Sequence, residues 1–365
     1  MKLRQIAIVL VVGVVVGELR PGLFADILRN ATLYVFLPAL IFEAAWQLDF
    51  TLMRRAWRPI ALLAIPGVAI TAAVIALVAH AFGGMALAAA LVLGAILSAT
   101  DPVAVVAIFR RLKVPALLAT IVESESLLND AVAVVLYRAI LGAIVVGGAS
   151  SQIGRVAIEA AVGSLVGILT GIAGAWLFSF ALRKGVPAVA QALATFAAAY
   201  LVYFAAEHLR ASGIFAVIAL AIGMRQFESA FGSLEVVRSV DAAWTAAATL
   251  ANAVLFFLVG ASVEAAHLWG ARTILLWVIL GVVVARIAVA YGLLAFAPKM
   301  LRSWRIVVQL AGVRGALSLA LALGVPASFA ARETIIDATF TVVILTILIG
   351  ALTYERHINA LDLAR

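Results

Sequence analysis

The stretch Glu123-Ser-Glu-Ser-Leu-Leu-Asn-Asp130 sets three carboxylates, an amide and two hydroxyls at the head of a run that then turns almost wholly apolar. At 100° per residue, Ser126, Asn129 and Asp130 share one helical face (i, i+3, i+4), and Glu123 lies two turns down the Asp130 stripe, with Glu125 somewhat aside. A carboxylate at membrane depth costs several kcal/mol unless it is paired, hydrated or protonated, so such groups line cavities and carry ions or protons. Glu123 stands within a turn of the expected span edge and reads either as a solvated acid or as an entrance to a buried site. Asp130 does not fit the solvated reading, because roughly 13 residues of helix precede it from Leu117 and an equally long apolar run follows.

Further acids lie elsewhere. In Ser98-Ala-Thr-Asp-Pro102, Pro102 lacks an N–H and pushes Asp101 away from helical angles, so freed carbonyls and a half-helix end are both at hand. Asp101 then either neutralises helix ends, the favoured reading, or meets a substrate directly. Thr100 adds a hydroxyl and a loosened carbonyl, the hard oxygen donors that suit a small alkali cation. Glu43 follows Pro38 in apolar company and is either a site carboxylate or an acid near a span end. Arg286 and Arg314 are the arginines inside spans; each requires a carboxylate neighbour, and Glu125 is the natural one for Arg314, as a structural ion pair.

The elements that must position these groups are membrane helices. Of 365 residues 66% are hydrophobic and 12% charged, with a mean hydropathy of +1.20, and apolar runs recur end to end, leaving no room for a folded aqueous domain. About twelve spans are expected, centred near residues 11, 38, 69, 97, 132, 167, 197, 217, 252, 283, 312 and 343. Basic residues such as Arg54, Arg55, Arg58, Arg183, Lys184, Arg225 and Arg238 gather in loops on one side, which puts both termini in the cytoplasm. The net charge of +8 is explained by that bias rather than by nucleic acid.

The spans divide at Arg183-Lys184-Gly185 into repeats of about 1–184 and 185–365 within a single transport domain. Span 4 of the first repeat and span 11 of the second are both interrupted, the latter at Gly312-Val-Arg-Gly315. Paired broken helices point to an inverted-repeat transporter with its site near the midplane. The fold class is therefore all-α, polytopic, with two inverted six-helix repeats. Gly163, Gly167 and Gly171 read as close helix packing, and Trp46, Trp57, Trp176 and Trp269 as interfacial anchors. Cysteine is absent, the four histidines lack metal spacing, and phosphate-loop, lipase-elbow and zinc-protease motifs are missing, so no cofactor is expected.

Thr100-Asp-Pro-Val-Ala104, Glu125-Ser-Leu-Leu-Asn-Asp130, Leu37-Pro to Phe42-Glu43 and Val313-Arg-Gly-Ala-Leu-Ser318 together resemble the bacterial sodium/proton exchangers of the cation:proton antiporter-1 family, over nearly the whole chain. The resemblance implies a core bundle of spans 3–5 and 10–12 that moves against a dimerisation bundle of spans 1–2 and 7–9. It implies a homodimer in the inner membrane, with lipids, monovalent cations and protons as partners. On it, Asp130 is the carboxylate shared by cation and proton, with Asn129 as companion. A sodium ion sits at Asp130, Ser126 and the Thr100 main chain, Glu43 acts through water and Asp101 balances the broken helices. The Asn-Asp pair is associated with electroneutral exchange, and members usually carry a further helix ahead of the span that opens this sequence. Sodium or lithium is the expected cation, with potassium as the alternative. Two other classes remain as rivals: an intramembrane aspartyl protease built on Asp101 and Asp130, whose signatures are absent, and a passive cation channel.

Overall fold

A computed structural model of the chain describes residues 3–19, 31–101, 105–106, 109, 112, 114–145, 151–181, 186–231, 234–261, 272–297 and 300–361. Pro102, Arg183-Lys184-Gly185 and Trp269, all singled out in the sequence, lie outside them. All regular structure among the described residues is helical. In order these are α1 (Leu3–Leu19), α2 (Leu37–Gln47), α3 (Phe50–Arg55), α4 (Trp57–Ala81), α5 (Leu87–Ser98), α6 (Ala116–Val145) and α7 (Ser151–Ala181). Then follow α8 (Ala188–His208), α9 (Gly213–Phe231), α10 (Leu234–Ala261), α11 (Arg272–Ile287), α12 (Arg302–Leu310), α13 (Ala316–Leu323) and α14 (Arg332–Asn359).

Hydrocarbon offers no partner to a bare peptide group, so a chain this apolar satisfies its backbone within helices. Seven of the described helices are long and apolar enough to cross a membrane, and shorter apolar helices accompany them. Each expected span centre falls in one of these helices except the one near residue 312, which falls in the gap between α12 and α13. The chain is thus an all-α polytopic membrane protein of about twelve spans. Along α7 the exposed Ile158, Val162, Leu165, Leu169, Ile172 and Trp176 recur at helical spacing, an apolar stripe suited to lipid rather than to a core. Pro66 is absorbed inside α4 by a π turn at Leu63–Gly67, which spares the helix a clash and a missing donor.

Two sets of helices pack among themselves. In one, α4 packs on α5 and α11, α5 on α6, and α13 and α11 on α14. In the other, α1 packs on α10, α2 on α9 and α10, and α8 on α9 and α10; α7 touches α6 on one side and α9 on the other. The α7–α9 approach depends on the repeated glycines, since a Cβ on Gly171 would stand 2.1 Å from the Ala216 carbonyl oxygen and one on Gly167 2.4 Å from that of Ser212. Close packing, as the GxxxG spacing suggested, is what these residues do. The tryptophans divide: Trp57 and Trp176 are exposed as interfacial anchors would be, but Trp46 is wholly buried. It stacks on Phe42, which in turn stacks on Trp244, because α2 turns that face into the second set rather than toward the interface.

Candidate functional site

Two broken helices meet at the centre. α5 stops at Ser98 and Ala99 is extended (φ −62°, ψ 142°); α12 stops before Ala311, and α13 restarts after an extended Gly315 (φ −132°, ψ −165°). The unwound segments are joined directly, the Asp101 amide donating to the Val313 carbonyl at 2.8 Å. A second tie runs from the Ser318 hydroxyl to the Ile96 carbonyl at 3.0 Å. The Asp101 carboxylate lies against Gly315, where any Cβ would stand 2.2 Å from Oδ2. That puts a negative charge at the N-terminus of α13, where helix amides converge. Glycine is needed at 315 for space.

On α6 the polar stripe faces this crossing as its periodicity requires. The Ser126 hydroxyl donates to the Thr100 carbonyl and is 3.2 Å from the Thr100 hydroxyl. Asn129 Nδ2 donates to Thr100 Oγ1 at 3.2 Å and to Glu125 Oε1 at 3.4 Å. Asp130 lies within hydrogen-bonding reach of the Thr100 backbone and within electrostatic range of Asp101 and Arg314. Asp130, Thr100, Asp101, Glu43 and Glu123 all line one cavity of about 1600 Å³. Ser126, Asn129 and Glu125 are buried behind that wall, with Glu125 Oε2 and Asn129 Oδ1 lacking a hydrogen-bond partner.

The expected Glu125–Arg314 pair is corrected. Glu125 Oε1 is bound by Arg286 Nη1 at 2.5 Å. Arg286 also donates to the carbonyls of Val308 and, at 3.4 Å, Gln309, so it serves the carboxylate and the carbonyl end of α12 together. Gly312 makes this possible, since a Cβ there would fall 2.6 Å from Arg286 Nε. Arg314 turns back on its own segment, donating to the Gly312 carbonyl at 3.2 Å, while its amide donates to Thr346 Oγ1 at 3.1 Å. It keeps Glu125 and Asp130 within electrostatic range.

A group not singled out in the sequence stands at the mouth of the cavity. Asp241 lines it from α10 and is held at Oδ1 by Trp46 Nε1 at 2.7 Å and Arg225 Nη1 at 3.0 Å, with the Arg225 guanidinium 5.1 Å over the Trp46 ring. The signal was present as Arg238 and Asp241 on one face (i, i+3) at the polar start of α10.

With this geometry in hand, comparison with known proteins is specific. A family model described as the transmembrane sodium/hydrogen exchanger matches residues 1–357. The low-affinity Na+/H+ antiporter NhaS1 of Synechocystis is 35% identical over 346 residues, 90% of this chain and 64% of that protein. The Na+/H+ antiporter NhaH of Halobacillus dabanensis is 30% identical over 350 residues, 93% of this chain and 85% of that protein. The chain thus spans a little under two thirds of the length of the first and most of the second. The solved structure of the sodium proton antiporter MjNhaP1 from Methanocaldococcus jannaschii superposes with a TM-score of 0.85 at 20% identity, covering 99% of this chain and 92% of that one. The fold is the same.

Proposed function

The chain belongs to the sodium/hydrogen exchanger family, and from that premise we propose that it is a secondary transporter exchanging sodium or lithium for protons by alternating access. The observation that carries the reading is Asp130, set two turns inside a water-accessible cavity and beside an unwound segment that offers carbonyl and hydroxyl oxygens. The same carboxylate holds either a proton or a cation. As the cation enters, the O–H bond breaks, the proton leaves to cavity water, and carboxylate and backbone oxygens replace the ion's hydration. Protonated, the site is neutral and recrosses without a metal ion. The two flows are coupled because one group cannot hold both.

In this reading Thr100 and Ser126 supply further ligands, Glu43 acts through water, Glu123 and Asp241 draw cations into the mouth, and Asp101 neutralises the half-helix ends. Ser126 and the Thr100 carbonyl are engaged with each other, so ion binding has to loosen that contact. The two packing sets correspond to a moving core and a dimerisation bundle. The cavity mouth and both termini face the cytoplasm of a bacterial inner membrane, and exchange is electroneutral. The test is proton flux in proteoliposomes given sodium, lithium and potassium chloride in turn, with and without an imposed potential. Cation-dependent collapse of a pH gradient that is lost in Asp130→Asn supports the proposal; unchanged flux in that variant overturns it, and currents too large for a carrier favour a channel.

A further inference from the structure

The large cavity touches α6 at Glu123, Leu127 and Asp130 and no further along the helix. A second cavity, of about 500 Å³, touches the same helix from Val135 to Ala143. Between Asp130 and Val135 lies about 7.5 Å of helix. The side chain standing just beyond that barrier is Arg138, which lines the second cavity. Its Nη1 is 3.1 Å from each oxygen of Glu207, in the last turn of α8. Glu207 Oε1 also accepts from the Gly213 amide at 3.1 Å, at the start of α9.

Resting on the transport reading above, we infer that Arg138 and Glu207 are the latch that keeps the face opposite the cavity mouth closed. The placement is what such a latch requires. Arg138 sits on the helix that carries Asp130, whereas Glu207 is fixed in the other packing set: the Gly213 amide holds one oxygen, and the α8–α9 turn is bound to α7 through the Ser212 amide and the Gly163 carbonyl at 3.0 Å. α6 packs chiefly on α4 and α5, and α8 on α9 and α10, so the ion pair ties two helices across a seam. The Arg138 side chain is 50% exposed and that of Glu207 26%. Water therefore reaches the pair, and it can part and re-form within a transport cycle. An exposed arginine–carboxylate pair of this kind biases a two-state equilibrium by about five-fold, enough to set which face is open at rest without freezing the cycle.

The test uses membrane vesicles of both orientations and reads the half-saturating sodium concentration from each face. Glu207→Gln keeps an oxygen for the Gly213 amide and removes the charge. Because apparent affinity at a face scales with the fraction of molecules open to it, this variant should lower half-saturation at the face opposite the mouth by about three- to five-fold and change the mouth face by less than two-fold. Arg138→Gln should do the same, the double variant should shift no further than either single, and Arg138→Lys, which also serves if another variant fails to fold, should fall between. Equal changes at both faces, or none, would overturn the latch. Absence of exchange by the unaltered chain would reject the transport reading and the latch together, whereas exchange with face-symmetric variants would reject the latch alone.

Discussion

Arg286 and Glu125 meet at 2.5 Å although 161 residues separate them in the chain, and the arginine also grips the carbonyls that end α12. Both side chains are buried, so removing either partner leaves an uncompensated charge away from water. Glu125→Gln or Arg286→Met should therefore destabilise by about 3–5 kcal/mol, and the double variant Glu125→Leu/Arg286→Met should recover part of the loss. Thermal unfolding of the detergent-purified protein reads both. A double variant as unstable as the sum of the singles would show that the two do not act as a pair.

Gly315→Ala forces a methyl group to within 2.2 Å of an Asp101 oxygen, and the segment can relieve this only by moving the carboxylate off the end of α13. Exchange should fall by more than ten-fold with a stability loss of about 1–3 kcal/mol. Gly142→Ala, where nothing lies within 4 Å of the new carbon, is the matched control and should retain both activity and melting temperature.

On the transport reading proposed above, competition at Asp130 fixes the sign of the pH response. Where the carboxylate is mainly protonated, each unit of acidification should raise the half-saturating sodium concentration by about ten-fold and leave the maximal rate unchanged, as mass action for one displaced proton requires. Initial rates at several pH values and saturating sodium check this. A maximal rate that falls while half-saturation stays constant would point to a second, separate proton site.

Asp241 stands at the cavity mouth, paired with Arg225, and its replacement by Asn removes a negative charge while Arg225 stays positive. The half-saturating cation concentration should rise by about three-fold at low ionic strength and return toward that of the unaltered chain at high choline chloride, because the effect acts through a screened potential. A salt-independent change would mean that Asp241 positions the wall of the cavity instead.

The site was legible in the chain where it depended on local periodicity. Ser126, Asn129 and Asp130 share a helical face by spacing alone, and the interruptions near Asp101 and Gly312–Gly315 follow from residues that cannot sustain a helix. What could not be read was the choice between chemically equal partners. Arg286 and Arg314 are both buried arginines, and the one that reaches Glu125 is decided by Gly312 leaving room for a side chain from α11. Trp46 was misread for a related reason: a tryptophan near a span end suits an interface or a core equally, and only the position of α2 against α9 and α10 decides. Asp241 escaped notice because its place at the mouth is set by how α10 leans on α2, which no window of sequence contains.

The bond from the Asp101 amide to the Val313 carbonyl joins two stretches that each lack a regular ladder of their own. Val313 is buried, and a buried carbonyl is costly to leave unpaired, so neither stretch can slide past the other without exposing a bare peptide group. The crossing is thereby welded: on the transport reading proposed above, the two unwound stretches travel as one cartridge, and what loosens for the ion is the contact of Ser126 with the Thr100 carbonyl.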